Sequence, residues 1–401
     1  MNIVFIGGLF PKELRKEIES KSLGVIQYAA DTLQWALIEG LDRHVNALRI
    51  FNLIYIGSFP TRYKDVRIKK TNFSHNTSSY DVNIGFVNLP IYKLWSRYWN
   101  LRKELYTTLN RNDEAVLMIY AIHVPFLVAA IDYKQYNRNA KICLIVPDLP
   151  EYMNDDSNLV KKYIKRIEIF FLKKYLPKVD AFILLSDHMA TALKVERRPW
   201  VRIEGVINTR SINRDLGLKK EILRTVLYSG TLARRYGILN LLEAFSKIQD
   251  PNYRLWVCGD GDAKDILEMQ AKVDHRIVYF GQIAREEVLR LQIRATVLVN
   301  PRSSDGEYTK FSFPSKTMEY LASGTPCVMY KLPAIPEEYH EFIYFCEEET
   351  PVGLSKTIAT VCEKNSLDLK AFGERAKQFV LNNKSSFVQG EKIYNLIKQI
   401  Q

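Results

Sequence analysis

Residues 311–328 read FSFPSKTMEYLASGTPCV, with a lysine and a glutamate three positions apart just after a proline. Pro314 has the fixed φ of a first helical turn, and Gly324 with Pro326 ends the helix. Lys316 and Glu319 then share one helical face. The unpaired N–H groups of the first turn, around Ser315, join the Lys316 ammonium in an anion site. One turn on, Glu319 is placed to accept hydrogen bonds from vicinal hydroxyls. The competing reading is an exposed Lys–Glu pair that stabilises its helix by about 0.2–0.5 kcal/mol.

Three more stretches are candidates for the same ligand. In YSGTLARRYG (228–237), Gly230 lets the backbone approach a ligand closely, and Arg234 and Arg235 offer forked donors to phosphate; otherwise it is a tight turn with solvated arginines. In CGDGD (258–262), Gly259 and Gly261 suit a sharp turn beneath a bound group. A metal-binding D-x-D is set aside there, because Asp262 is expected to cap the next helix, and no His/Cys/carboxylate cluster elsewhere offers a metal site. In YFGQ (279–282), Gly281 and Gln282 close a strand whose end can bond a planar base edge or form a plain turn. The succession of these parts along one series of strands, ahead of the anion helix, outweighs any one of them.

The elements that carry these loops are short apolar runs, each followed by a turn and a helical pattern. The runs are 2–6, 115–119, 141–146, 181–185 and 201–203, then 225–228, 254–258, 277–280, 296–299, 326–330 and 342–345. Continuous apolar strands alternating with helices predict parallel sheets buried on both faces. After Tyr228 the helical period is plain in Ile238, Leu241, Leu242, Phe245 and Ile248. Two such series, separated by polar residues, predict an α/β protein with two Rossmann-like doubly wound domains and a cleft between them. Ligands in such folds lie at the carboxyl ends of the strands.

A chain of 401 residues is too long for one core, and 47% apolar with 25% charged residues is the composition of a globular protein. Five cysteines without a C-x-x-C pair argue for reduced thiols and a cytoplasmic compartment. No basic, apolar leader opens the sequence, and no window approaches about 18 uninterrupted apolar residues. The net charge of +12 is uneven: residues 1–200 hold 29 Lys+Arg against 20 Asp+Glu, and the remainder 28 against 25. A basic first half implies an anionic partner. Nucleic acid is the alternative of another class, but no helix-turn-helix, zinc or aromatic RNA-binding signature supports it. The stretches VKKYIKRIEIFFLKKYLPK (160–178) and LWSRYWNLRKELY (94–106) interleave basic and apolar residues. Each reads either as a packed helix with a solvated basic face or as a segment lying on anionic lipid.

Taken together, SGTLARRYGILNLLEAF, LWVCGDGD, VYFGQI and FPSKTMEYLASGTPCV resemble the nucleotide-sugar-binding half of GT-B glycosyltransferases, most closely the family-4 retaining enzymes. The likeness covers about residues 225–350 and extends more loosely through VFIGG, YAIHVP and VPDLPEY. It implies an acceptor-side domain at 1–207, a linker at 208–221, a nucleotide-sugar domain at 222–380, and a C-terminal helix at 381–401 packing back on the first domain. It also implies that Arg234 or Arg235 and Lys316 bind the donor diphosphate, that Glu319 binds the ribose, and that Gln282 lies near the base. From the first half it carries over Gly7 and Gly8 as a loop over diphosphate and acceptor, and His123 as a residue facing the donor sugar. Asp148, at a strand end between prolines, is either acceptor-side or a turn former. Without the resemblance, His123 reads as a packed histidine. Two departures stand out. Phe311 occupies the first glutamate position of the family's E-x7-E pattern, and Thr231 and Tyr236 replace its usual arginine and lysine. The donor sugar is therefore open.

The expected reaction is transfer of a sugar from a nucleoside-diphosphate sugar, with UDP as the nucleotide, to a glycan acceptor. The resemblance implies retention of configuration and no metal cofactor. The sequence offers no protein nucleophile, which favours front-face attack. Similar patterns occur in bacterial enzymes that assemble surface polysaccharides, so the expected acceptor is a lipid-diphosphate-linked glycan and the anionic inner face of the plasma membrane an open partner. A nucleotide-sugar epimerase or hydrolase of the same fold is the alternative reaction.

Overall fold

In a computed structural model the described residues are 2–149, 169–207 and 217–401. They form two compact units, Met1–Val206 with Ser386–Gln401, and Ile207–Ser385. Both are α/β with parallel sheets, and the chain has the two Rossmann-like domains expected of its strand pattern.

The first unit is built on β1 (Asn2–Gly7), β2 (Leu48–Asn52), β4 (Thr71–Phe73), β5 (Asp81–Asn83), β7 (Ala115–Tyr120), β8 (Ala140–Val146), β9 (Ala181–Leu184) and β10 (Trp200–Arg202), with β3 (Arg67–Ile68) and β6 (Phe86–Val87) paired separately. The sheet order is β10-β9-β8-β7-β1-β2-β5-β4, parallel except for β4 against β5. Ile3–Ile6 and Val116–Ile119 are fully buried, as strands covered on both faces must be. The order reverses between β1 and β7, which pair through Asn2–Ile6 and Ala115–Ile119. Their carboxyl ends, at Gly7-Gly8 and Ala121–His123, form the switch point.

The helices of this unit begin with α1 (Arg15–Lys21), α2 (Tyr28–Asp42), α3 (Tyr92–Thr108), α4 (Val124–Tyr136) and α5 (Asp187–Leu193). Over its first two turns helix α3 reverses the usual pattern, in which apolar residues face the core, and resumes it at buried Leu101 and Leu105. Lys93, Ser96 and Arg97 are buried, whereas Tyr92, Leu94, Trp95 and Trp99 are exposed. Of the basic stretch at 160–178, residues 160–168 lie outside the described residues; beyond them Phe170 is exposed and Leu172 and Leu176 are buried.

The second unit has β11 (Arg224–Ser229), β12 (Tyr253–Cys258), β13 (Ile277–Gly281), β14 (Val297–Asn300), β15 (Cys327–Met329) and β16 (Tyr344–Phe345) in the all-parallel order β13-β12-β11-β14-β15-β16. In the unit's own order this is third, second, first, fourth, fifth, sixth, with the switch point between β11 and β14. Its helices are α6 (Ile238–Ser246), α7 (Lys264–Val273), α8 (Arg285–Arg294), α9 (Ser315–Ala322), α10 (Pro351–Cys362) and α11 (Ser366–Lys384). On α6 the predicted stripe of Ile238, Leu241, Leu242 and Phe245 is buried against β11 and β12. The two ends of the unit meet, because Ile207 N–H donates to the Lys384 carbonyl at 2.9 Å and Ile207 bridges to Ser385. The chain then enters α12 (Ser386–Gln399), whose Ile393, Leu396 and Ile397 join the first unit's core.

Candidate functional site

Helix α9 follows the loop after β14, so its first turn belongs to the switch point of the second unit. Pro314 is the N-cap of this helix rather than its first turn, with φ −74° and ψ 97°, and no side chain caps the N–H groups that follow. Ser315 is exposed and Lys316 half-exposed in that uncapped turn. This first turn thus lies next to Lys316 without a side-chain cap, with Thr317 N–H turned to the Pro314 carbonyl at 2.8 Å and the proline one position earlier than the pattern implied.

Lys316 and Glu319 sit in a polar network. Glu319 accepts from Lys316 Nζ at 3.3 Å and from Gln292 Nε2 at 2.8 Å, and Arg285 lies 3.7 Å from its other oxygen. The Lys316 side chain is 44% exposed and that of Glu319 17%. Burial alone would raise the Glu319 carboxyl, but the charges of Lys316 and Arg285 and the Gln292 hydrogen bond outweigh it and hold the group below its ordinary range. Gln292 also reaches Ser229 Oγ at 3.2 Å, while Tyr320 Oη accepts from Ser229 N–H at 2.9 Å and donates to the Ser229 carbonyl at 3.1 Å. The end of β11 is thereby tied to α8 and α9.

The glycine loops pack onto this centre. Gly230 follows Ser229, and a Cβ placed on it would lie 3.9 Å from Lys316 Cε. Gly259 has φ +137°, and a Cβ there would come within 1.8 Å of the Gly230 carbonyl oxygen, so the loops after β11 and β12 touch backbone to backbone. Gly261 lies against Leu232, and Tyr279 Oη donates to the Gly259 carbonyl at 2.8 Å. Gly281 ends β13, and its carbonyl accepts from Gly259 N–H at 2.9 Å; a Cβ placed on it would meet open space. Gln282 and Thr231 are exposed.

Asp262 does not cap α7. Ala263 is the N-cap, without a side-chain hydrogen bond, and Asp262 Oδ1 instead accepts from Arg234 N–H at 2.9 Å. A carboxylate so placed binds the arginine loop to the glycine–aspartate turn. Arg234 and Arg235 are both exposed, but Arg235 lies over the Tyr236 ring at 5.0 Å and donates to its hydroxyl at 3.2 Å. Phe311 is buried after the short 3-10 turn Glu307–Lys310, so an apolar ring stands at the first glutamate position.

Residues that the sequence reading missed complete the centre. Gln292 and Tyr320 lie in apolar stripes, where a polar side chain is the only signal. Arg302, just beyond β14, is buried against Tyr308 and Tyr236, at 4.9 and 5.7 Å from the ring centroids, with Nε unpartnered. Among the described residues no group of three or more His, Cys, Asp or Glu is placed to hold a metal.

In the first unit, Gly7 and Gly8 are buried, and their close surroundings come from the protein itself. Gly8 N–H donates to Gln34 Oε1 at 2.8 Å, and the Tyr55 ring fills the space beside it. His123 is the N-cap of α4 and packs against Tyr55 and Phe126, with ring centroids 6.1 and 4.1 Å away. Asp148 is exposed after β8, close enough for its charge to act on buried Tyr120.

Residues 223–364 match the protein family described as Glycosyl transferases group 1. No curated protein sequence matches the chain. Among solved structures, sucrose-phosphate synthase from Thermosynechococcus elongatus is similar over 100% of this chain and 99% of its own, with 15% identity and TM-score 0.67. The Anabaena Alr3699/HepE complex with UDP is similar over 100% of both chains, with 13% identity and TM-score 0.63. The lipopolysaccharide outer core galactosyltransferase WaaB in its apo form likewise matches over 100% of both chains, with 13% identity and TM-score 0.64. Residues 223–364 thus match a glycosyl transferases group 1 domain, and the chain as a whole shares the two-domain GT-B fold of these structures.

Proposed function

We propose that this protein is a retaining glycosyltransferase that moves a sugar from a UDP-sugar to a glycan carried on a lipid diphosphate, in the assembly of a bacterial surface polysaccharide, without a metal cofactor. The observation that carries the reading is the uncapped first turn of α9, with Lys316 and Glu319 beside the Gly230 loop. Negative charge grows on the departing diphosphate during transfer. Lys316, the arginine pair and the α9 N–H groups offset it, each contact typically lowering the barrier by about 3–4 kcal/mol. Glu319, held ionised, accepts from the ribose hydroxyls. Front-face attack, with the leaving phosphate taking the acceptor's proton, accounts for retention without a protein nucleophile. UDP is chosen because HepE was solved with it.

The lipid-linked acceptor is supported by the outer face of α3, where Tyr92, Leu94, Trp95 and Trp99 are exposed. Aromatic and basic residues of this kind suit a bilayer interface. No described helix is long and apolar enough to cross a membrane. A thermal-shift screen of UDP-, GDP- and TDP-sugars tests the nucleotide. Stabilisation by UDP compounds in the native protein and not in Lys316→Ala is expected; no stabilisation by any of them overturns the reading. Co-sedimentation with anionic vesicles, abolished in a Trp95→Ser/Trp99→Ser variant, is the corresponding result for the lipid.

A further inference from the structure

Among the described residues, the two buried cations at the start of α3 have no carboxylate counterion. Lys93 is 8% exposed and Arg97 3%, yet among the described residues neither forms an ion pair with a carboxylate. Lys93 Nζ donates to the Ile56 carbonyl at 2.5 Å and Arg97 Nη2 to the Ile54 carbonyl at 2.6 Å, both just beyond β2. Taking an ion out of water costs several kcal/mol, so buried charges are ordinarily paired or hold a ligand. Donors remain in excess: an ammonium has three and a guanidinium five, and Arg97 Nε is buried with no partner.

His123 adds a further donor. Arg97 Nη1 lies 3.3 Å from His123 Nε2, and a guanidinium only donates, so Nε2 accepts. Burial, with the charges of Arg97 and Lys93, holds the imidazole well below its ordinary pKa and therefore neutral. Its hydrogen then sits on Nδ1, which is buried and has no partner among the described residues. Tyr55, Phe86 and Phe126 supply apolar walls, with Arg97 over Phe86 at 4.4 Å. Ile91 and Ala121, each two positions before Lys93 and His123, have φ of 64° and 68°. Such backbone is unusual for a β-branched residue, and strain of this kind gathers at functional sites.

We propose that Lys93, Arg97 and His123 form a subsite in the first unit for an oxyanion of the acceptor, a phosphate ester or a carboxylate. The assignment to the acceptor rests on the transferase reading above; the anion site itself does not. Arg97 supplies charge, Lys93 an ammonium whose protonated form a bound anion would favour, and His123 Nδ1–H a neutral donor, in a place where water competes poorly.

The test titrates the intact protein in excess UDP, which fills the Lys316 site. Inorganic phosphate is one arm, glucuronate the carboxylate arm and glucose the neutral control. Saturable binding of phosphate or glucuronate, but not glucose, is expected, weakened about tenfold or more in Lys93→Met and Arg97→Gln. Lys93→Arg keeps the charge and is expected to keep the binding, which separates lost charge from lost packing. Phosphate binding alone identifies a phosphate ester; glucuronate binding alone identifies a uronic acid. No saturable anion binding, or unchanged affinity in both charge-removing variants, overturns the proposal. If UDP fails to bind, the nucleotide reading falls, and the same titration on Lys316→Ala protein still decides the anion subsite.

Discussion

At the switch point of the second unit the cation is half-exposed and already paired, Lys316 with Glu319 at 3.3 Å. At that of the first, Lys93 and Arg97 are buried and, among the described residues, answered by backbone carbonyls and the neutral His123 ring rather than by a carboxylate. Two sheets of like topology thus treat charge in opposite ways. An exposed, uncapped helix start beside a glycine loop can admit a large, multiply charged group and release it. A buried cation pair under aromatic walls suits a small group, held for position. On the proposed reading the difference separates a leaving group, whose charge changes during reaction, from an acceptor handle, whose charge does not.

Several substitutions bear on this comparison. The largest effect is expected for Lys316→Ala, which should lower turnover by about 10²–10³-fold while circular dichroism stays native; a folded variant with near-normal transfer would remove Lys316 from the site. Next, Gly259→Ala should destabilise the second unit by about 3 kcal/mol in urea unfolding, because its Cβ meets the Gly230 carbonyl oxygen at 1.8 Å. Gly281→Ala, with φ +69° but open space around it, should lose only about 1 kcal/mol. Equal losses would mean that the loop contact is not what fixes the glycine.

The buried lysine makes a pH prediction. Burial, reinforced by Arg97, pulls the Lys93 pKa from 10.5 to about 7. Between those values the unfolded chain binds the extra proton, so the first unit should grow more stable as pH rises from about 7 towards 10, by on the order of 1 kcal/mol per pH unit. Lys93→Met should flatten that slope; an unchanged profile would place Lys93 in water. The smallest effect concerns Glu319. The native protein should prefer UDP over its 2′-deoxy analogue by about 1 kcal/mol, and Glu319→Ala should erase the preference. A preference that survives the substitution would assign the ribose to another residue.

The second unit was more legible than the first, for physical reasons. Its strands are continuous apolar runs, as in Val226-Leu227-Tyr228, and its glycine loops begin where they end, at Gly230, Gly259 and Gly281. Strand β2, Leu48–Asn52, was missed because Arg49 and Asn52 interrupt its run; Asn52 is buried by bonding the Leu9 carbonyl and Asn83. Strands β3 to β6 are two or three residues long, too short for a period. The Lys93–Arg97 pair was hidden for a deeper reason. Hydrophobic patterning points Trp95 and Trp99 inward and the basic residues outward, and the first two turns of α3 do the reverse. Asp262 was misread because a side chain before a helix looks like a cap whatever it bonds, and its partner, Arg234 N–H, lies 28 positions away.

The passage of the chain into α12 gives the protein an order of completion that its numbering conceals. The second unit is, in effect, an insertion whose ends are clasped at Ile207 and Lys384. Everything it needs has been synthesised once residue 385 emerges. The first unit, though begun earlier, waits for Ile393, Leu396 and Ile397 to cover its sheet. Removing the last sixteen residues (386–401) would therefore injure the amino-terminal half and spare the half beside which they lie in sequence.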